Sequence, residues 1–322
     1  MNRAAIPIVL VGLGLMGRRM LGWFAGHHAY RVLAAFDPDD QAWHCAAEEG
    51  LPSPERANDL ASLLKAPGAR VVCIATPPAS HLSIARAAMK AGLAIFCEKP
   101  LAVDVRSASR FVRDAEERDV RAAVNFPFAT MPALYTFRDQ VESGAIGSLV
   151  RTDILLHFSA WPRTWHHAGP WLARREEGGF LREVFSHFAF LTQRVIGDSR
   201  WKIDHVTLHR GRAPGAEEMV QASLRLGDHP VNVSGGVAAG APDRIEWTLY
   251  GTDGALRLVD WAVAERSDGA EWIMIHDERD RPRRGDRQLD ALQERIETGE
   301  GPLATLREAL DVQRLVEGML LW

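Results

Sequence analysis

A chain of 322 residues exceeds the size of one ordinary core and predicts about two domains. Its composition, 47% hydrophobic and 25% charged, is that of a soluble globular protein. A formal charge of −4 offers no footprint for DNA or RNA, and no apolar run approaches the roughly 18 residues a membrane span requires.

The amino terminus, MNRAAIPIVLVGLGLMG, has the outline of a secretory leader but not its parts. Glycines interrupt the apolar stretch, no small-residue cleavage site follows, and Arg18-Arg19 comes after the stretch rather than before it. The three cysteines, Cys45, Cys73 and Cys97, are odd in number and lack CxxC spacing, which predicts reduced thiols and a cytoplasmic protein.

In chain order, IPIVLV (6–11) reads as a strand, GLGLMG as a tight turn and RRMLGWFAG as a helix. In that context Gly12, Gly14 and Gly17 fit a dinucleotide fingerprint: the first for the turn, the second for close approach of a pyrophosphate, the third for helix–strand packing. Leu15 and Met16 lie between them, at the helix amino terminus, where free N–H groups favour an anion. A second run, RVLAAF, ends in Asp37, placed to accept from ribose hydroxyls and so to favour NAD over NADP. The competing use of Asp37 is to start a turn or cap the helical QAWHCAAEEG. VVCIATPPASH, SIARAAMKAG and LAIFCEKP then extend a parallel sheet, putting Thr76, Pro77, Glu98 and Lys99 at its carboxyl edge. Residues 101–124 read as helical, and the short run RAAVN ends in Asn125 on the same edge.

After a helix-like stretch at 133–142, the hydrophobic period shifts toward two. SLVRTDILLHFS, KIDHVTLHRG, MVQASLRLGD, PVNVSGGVA, RIEWTLYGT, GALRLVDWAV and EWIMIHDE read as strands, with GTDG a hairpin turn. The expected fold is an N-terminal Rossmann doubly wound parallel sheet (1–124, dinucleotide binding) followed by an α+β domain with a large, mainly antiparallel open sheet (125–322, substrate binding and oligomerisation). If the outer face of that sheet is apolar it needs a partner, which predicts a homodimer or homotetramer. The basic run RDRPRRGDR (279–287) reads as a solvated loop and TLREALDVQRLVEGMLLW as an amphipathic helix.

GLGLMG, Asp37, ATPPASH and CEKPLA, in this order and spacing, resemble the Gfo/Idh/MocA oxidoreductases, the family of glucose-fructose oxidoreductase and inositol dehydrogenase. The resemblance implies that Thr76, Pro77, His81 and Glu98 line the cofactor, that Lys99 faces both nicotinamide and substrate, and that Lys99-Pro100 is cis. It also implies that EGGFLREVFSHFAFL (177–191) carries the second half of the site, with Glu183 and His187 where the family has Asp and His. An i, i+4 pair shares one helix face, and histidine is suited to move the hydroxyl proton. Glu183 for Asp, Phe185 for Gly and Glu177 for the first of three glycines depart from the family pattern. HFSAWPRTWHHAGPWLARR (157–175) supplies aromatic and guanidinium groups, of which Arg163 and Trp165 are substrate-binding candidates. Zinc at His157, His166 and His167 is disfavoured, since adjacent histidines lack further well-spaced ligands.

These readings combine into an NAD(P)-dependent oxidoreductase acting on a C–OH/C=O group of a sugar, inositol or related cyclic polyol, with Lys99, His187 and Glu183 catalytic. The alternatives are a C=N reductase and a noncatalytic NAD-binding sensor.

Overall fold

The run IPIVLV has no polar residue to turn toward water, so it suits a strand covered on both faces. In the computed structural model it is β1 (Ile6–Val11), with all but Pro7 buried. The structure describes residues 4–163, 170–211, 215–279 and 284–322. They form two compact units, Met1–Thr130 with Arg283–Leu310, and Met131–Pro282 with Asp311–Trp322.

The first unit alternates strand and helix: α1 (Leu15–Gly26), β2 (Tyr30–Phe36), α2 (Asp40–Glu48), β3 (Glu55–Arg56), α3 (Leu60–Leu64), β4 (Val71–Ile74), α4 (Pro78–Lys90), β5 (Ala94–Glu98), α5 (Val105–Glu117) and β6 (Ala122–Asn125). The sheet order is β3-β2-β1-β4-β5-β6 with every pair parallel. The order reverses between β1 and β4, and in such sheets ligands enter the crevice at the carboxyl ends there. Asp104 starts α5 by accepting from the Ser107 N–H at 2.7 Å, which delays the helix to Val105. Met20, Leu21 and Phe24 of α1 share a core with Ile8, Leu10, Cys73 and Phe96. Truncating the fully buried Phe24 would cost about 3–5 kcal/mol.

The second unit begins with α6 (Pro132–Glu142) and β7 (Leu149–Phe158). A π turn, Leu181–Phe185, runs directly into α7 (Ser186–Ile196). Seven strands follow: β8 (Trp201–Arg210), β9 (Glu217–Leu226), β10 (His229–Val237), β11 (Arg244–Gly251), β12 (Ala255–Val259), β13 (Val263–Ser267) and β14 (Ile273–Asp277). Their sheet order is β14-β13-β12-β11-β7-β10-β9-β8, antiparallel except for β7 with β10. GTDG closes the β11–β12 hairpin, with the Gly251 N–H donating to Gly254 O at 2.8 Å. GALRLVDWAV is not one strand: Asp260 and Trp261 take positive φ (45° and 67°) and fold β13 back onto β12.

The inner face of the sheet, including Ile154, Leu156, Val231, Val233 and Trp247, is buried. Trp247 stacks on Phe137 of α6 and donates to Thr192 Oγ1 of α7 at 2.8 Å, so its one polar atom is satisfied. The outer face is polar rather than apolar: Arg151, Asp153, Gln221, Asn232, Ser234 and Glu246 occupy it, with Asn232 donating to Asp153 and Gln221 to Ser234. Exposed large apolar side chains of this sheet lie at Val150 and on the edge strand β14, at Ile273 and Met274.

Of RDRPRRGDR, residues 280–283 lie outside the described set, and Arg284 starts a helix, α8 (Arg284–Thr298), instead of continuing a loop. Leu289, Leu292 and Ile296 recur at helical spacing and enter the core of the first unit. Tyr30 donates to Leu289 O at 2.7 Å and Gln288 donates to Phe126 O at 3.3 Å. Residues 283–310 therefore return to the first unit, and one cut after residue 124 does not describe the division. The last helix, α9 (Leu306–Leu321), begins in the first unit and ends in the second. No helix among the described residues is long and apolar enough to cross a membrane.

Candidate active site

The glycine loop shows a separate reason for each glycine. Gly12 has φ +93° and a Cβ there would lie 2.5 Å from Ala75 O. A Cβ on Gly17 would lie 2.0 Å from Gly12 O, so α1 packs on the loop only without it. A Cβ on Gly14 would meet nothing within 4 Å, and the residue is exposed. Gly14 is also the N-cap of α1 and brings no side chain to the first-turn N–H groups, while Leu15 and Met16 flank it half-buried. The open side of Gly14 is where a pyrophosphate would meet those N–H groups.

Asp37, at the end of β2, accepts from the Leu13 N–H at 2.6 Å and from the Asp39 N–H at 2.9 Å. Asp39, not Asp37, caps α2, through the Gln41 N–H at 2.9 Å. Asp37 thus holds the glycine loop while remaining half-exposed at the crevice. Arg18 is committed elsewhere, donating to Leu13 O at 3.0 Å and to Glu49 at 2.8 Å.

Glu98 and Asn125 end adjacent parallel strands in register. Both are buried, and Asn125 Nδ2 donates to Glu98 Oε1 at 2.7 Å while the Lys99 N–H donates to Glu98 Oε2 at 3.2 Å. Asn125 Oδ1 is buried with no hydrogen-bond partner among the described residues. An orphaned acceptor costs free energy unless something arrives to donate to it. Lys99 is buried to 9% exposure, and Lys99-Pro100 is cis. Thr76 is half-buried and accepts from Ser80 Oγ at 2.6 Å, Pro77 is exposed, and Pro78 opens α4. His81 is 1% exposed, with Nε2 2.8 Å from Thr76 O and Nδ1 2.8 Å from Pro100 O. It ties the two edge loops together, and burial lowers its pKa against the pull of both carbonyls. Burial likewise pushes the Cys73 and Cys97 thiols up, leaving them inert.

The open Gly14 cradle and the orphaned Asn125 acceptor both fit a dinucleotide. Gly12, Gly14, Leu15, Met16, Gly17, Asp37, Thr76, Glu98 and Asn125 are the residues that would hold it.

In the second unit, Glu183 lies in the π turn and His187 in the first turn of α7. The wider turn means that the pair spans a π-to-α junction instead of sharing a regular helix face, and such bulges concentrate at functional sites. His187 is 7% exposed and meets Trp261 edge-to-face at 5.3 Å. Arg163 is close enough to Glu183 and Asp243 for both to favour its charge, although burial against Phe158 and Trp161 lowers its pKa. Trp165, His166 and His167 lie outside the described residues. Among the described residues no group of three or more His, Cys, Asp or Glu is placed to hold a metal ion.

Three supporting residues escaped the sequence reading. Buried Glu217 accepts from the Leu181 N–H at 2.6 Å, capping the π turn, and burial raises its pKa. A Cβ on Gly179 (φ +98°) would strike that carboxylate at 2.2 Å. Arg182 forks onto Glu317 at 2.6 and 2.8 Å and donates to Gly178 O and Arg175 O, fixing the turn to α9. The doublet Gly178-Gly179 was the available signal for this arrangement.

Residues 6–126 match a family described as an oxidoreductase family with NAD-binding Rossmann fold, Gfo/Idh/MocA. Similar proteins include an uncharacterized oxidoreductase of Synechocystis, 33% identical over 62% of this chain and 57% of its own. Levoglucosan dehydrogenase of Pseudarthrobacter phenanthrenivorans is 27% identical over 60% of this chain and 52% of its own. The chain thus spans just over half the length of these relatives. An oxidoreductase from Thermotoga maritima has the same fold, with TM-score 0.82, 19% identity, and 98% and 96% of the two chains covered.

Proposed function

We propose that the chain is a member of the Gfo/Idh/MocA oxidoreductase family, whose model residues 6–126 match, and that it is an NAD-dependent dehydrogenase or reductase of a sugar, inositol or related cyclic polyol. The observation that carries this reading is the buried Glu98–Asn125 pair beside Lys99 at the carboxyl edge of the parallel sheet, with the Asn125 acceptor left open. A similar protein named levoglucosan dehydrogenase supports a carbohydrate as substrate.

Bound NAD supplies the hydride acceptor in oxidation. Lys99 donates a hydrogen bond to the reacting oxygen and stabilises its developing alkoxide character. Glu98 accepts from Asn125 and from the backbone of Lys99, so the lysine leaves the strand in one direction. His187 takes the hydroxyl proton in oxidation and returns it in reduction, with Glu183 supporting the protonated ring. Arg163 binds substrate oxygens, and Trp165 is assigned to the same role from sequence.

NAD is favoured over NADP because Asp37, Asp39 and Asp40 cluster after β2 and Arg18 is paired to Glu49. The reading includes a cytoplasmic homodimer or homotetramer through the eight-stranded sheet, although the polar outer face removes the apolar burial from which that assembly is expected. Light scattering that gives a monomer at micromolar concentration removes that part.

The test is turnover of nicotinamide absorbance with a panel of sugars, inositols, sugar acids and cyclic imines. His187→Gln is expected to lower turnover by about 10²–10⁴-fold with NADH affinity retained. Unchanged turnover refutes the role of His187. Reaction with imines alone shifts the reading to C=N reduction, and nucleotide binding without turnover across the panel shifts it to a sensor.

A further inference from the structure

Asp260 and Trp261 are consecutive non-glycine residues at positive φ, 45° and 67°. A left-handed backbone is uncommon for any side chain and an outlier for one as bulky as tryptophan. A glycine would make the β12–β13 turn without that cost, so the turn geometry alone does not account for Trp261. Its ring does. The indole meets His187 edge-to-face with centroids 5.3 Å apart and an interplanar angle of 78°, and it leans on Phe188 at 5.1 Å. The turn itself is anchored, since the Asp260 N–H donates to Ile245 O at 2.9 Å and the Ala262 N–H to Val259 O at 3.1 Å. His187 and Phe188 stand in the first turn of α7, immediately after the π turn.

We infer that Trp261 is a positioning residue for proton transfer: the strained β12–β13 turn holds its indole against the His187 imidazole, so that the ring presents one orientation to the reacting hydroxyl. An edge-to-face contact between rings has a preferred angle, whereas an aliphatic side chain of similar size offers packing without direction. The inference rests on the role proposed for His187. It concerns how that ring is aimed, and a misaimed base lowers the rate of the chemical step more than it weakens binding.

The experiment compares Trp261→Phe with Trp261→Leu in the full chain, alongside His187→Gln and Asp260→Gly. The expected result is that Trp261→Leu lowers kcat by about tenfold or more, with the KM for NADH within about twofold of wild type, while Trp261→Phe restores kcat to within about threefold. Asp260→Gly, which loosens the turn that holds the indole, is expected to lower kcat with the KM for NADH unchanged. If His187→Gln abolishes turnover while Trp261→Leu matches Trp261→Phe, the inference falls and the role of His187 stands. If His187→Gln is active, both fall. Relaxation of the His187 ring carbons, assigned by loss of their signals in His187→Gln, gives a readout that needs no substrate. Increased ring motion in Trp261→Leu that is reversed in Trp261→Phe supports the inference, and equal motion in all three proteins overturns it.

Discussion

Gly12 and Gly179 both stand at positive φ and both would strike a neighbour if they carried a β-carbon, but the neighbours differ in kind. At Gly12 the obstacle is the backbone carbonyl of Ala75, at the end of the adjacent strand. At Gly179 it is the carboxylate of Glu217, a buried side chain nearly forty residues further on. The first unit makes its site from main-chain geometry that a parallel sheet imposes wherever it reverses order. The second makes its site from buried side chains on separated elements, each of which needs the others in place. Backbone geometry gives no means of relieving a clash, whereas a side chain can be removed.

The largest stability effect is expected where the second unit depends on a single side chain. Arg182→Ala leaves Glu317 largely shielded from solvent without its fork and uncaps the turn carbonyls, which should cost about 3–5 kcal/mol in urea unfolding. A loss under about 1 kcal/mol would mean that the π turn is held by other contacts.

Next in size is a double-mutant cycle. Gly179→Ala is expected to destabilise in wild type and to cost less in a Glu217→Ala background, with a coupling of about 0.5–3 kcal/mol. The residual cost is the φ penalty. Gly12→Ala should show no comparable rescue by truncating Thr76, because the closest atoms belong to the backbone of Ala75. Additivity at Gly179 would remove the distinction between the two glycines.

The smallest effect separates charge from shape at Glu217. Folding raises the pKa of this carboxyl above 4.5 because burial disfavours the ion. Its contribution to stability is therefore fully present below about pH 4.5 and is lost as pH rises through the folded value. Glu217→Gln keeps an acceptor for the Leu181 N–H and does not titrate. Relative to Glu217→Gln, the wild type should lose up to about 1.4 kcal/mol per pH unit between about pH 4.5 and the folded value and no more above it, measured by denaturant unfolding at several pH values. A difference independent of pH contradicts the assignment of burial as the cause.

The same contrast explains what was legible in the sequence. The glycine spacing, Asp37 and the EKP edge announce a local backbone path, and strand order follows from alternating strands and helices. Asp39 rather than Asp37 capping α2 was open at that level, because two acids two residues apart compete for one role. α8 was misread because arginines and aspartates crowd its first turn, although Leu289, Leu292 and Ile296 keep helical spacing. The break between β12 and β13 was hidden because DW gives no glycine signal for a left-handed turn. Glu217, Arg182 and Trp261 act through contacts between residues distant in sequence, and no spacing rule reaches them.

The most direct test of the account is a fluorescence titration of the full chain with NADH and with NADPH. Tight NADH binding, with NADPH weaker by at least about tenfold as expected when a 2′-phosphate meets carboxylates, is the predicted result. Binding of neither nucleotide would contradict the reading of the Gly14 cradle, Asp37 and the open Asn125 acceptor together.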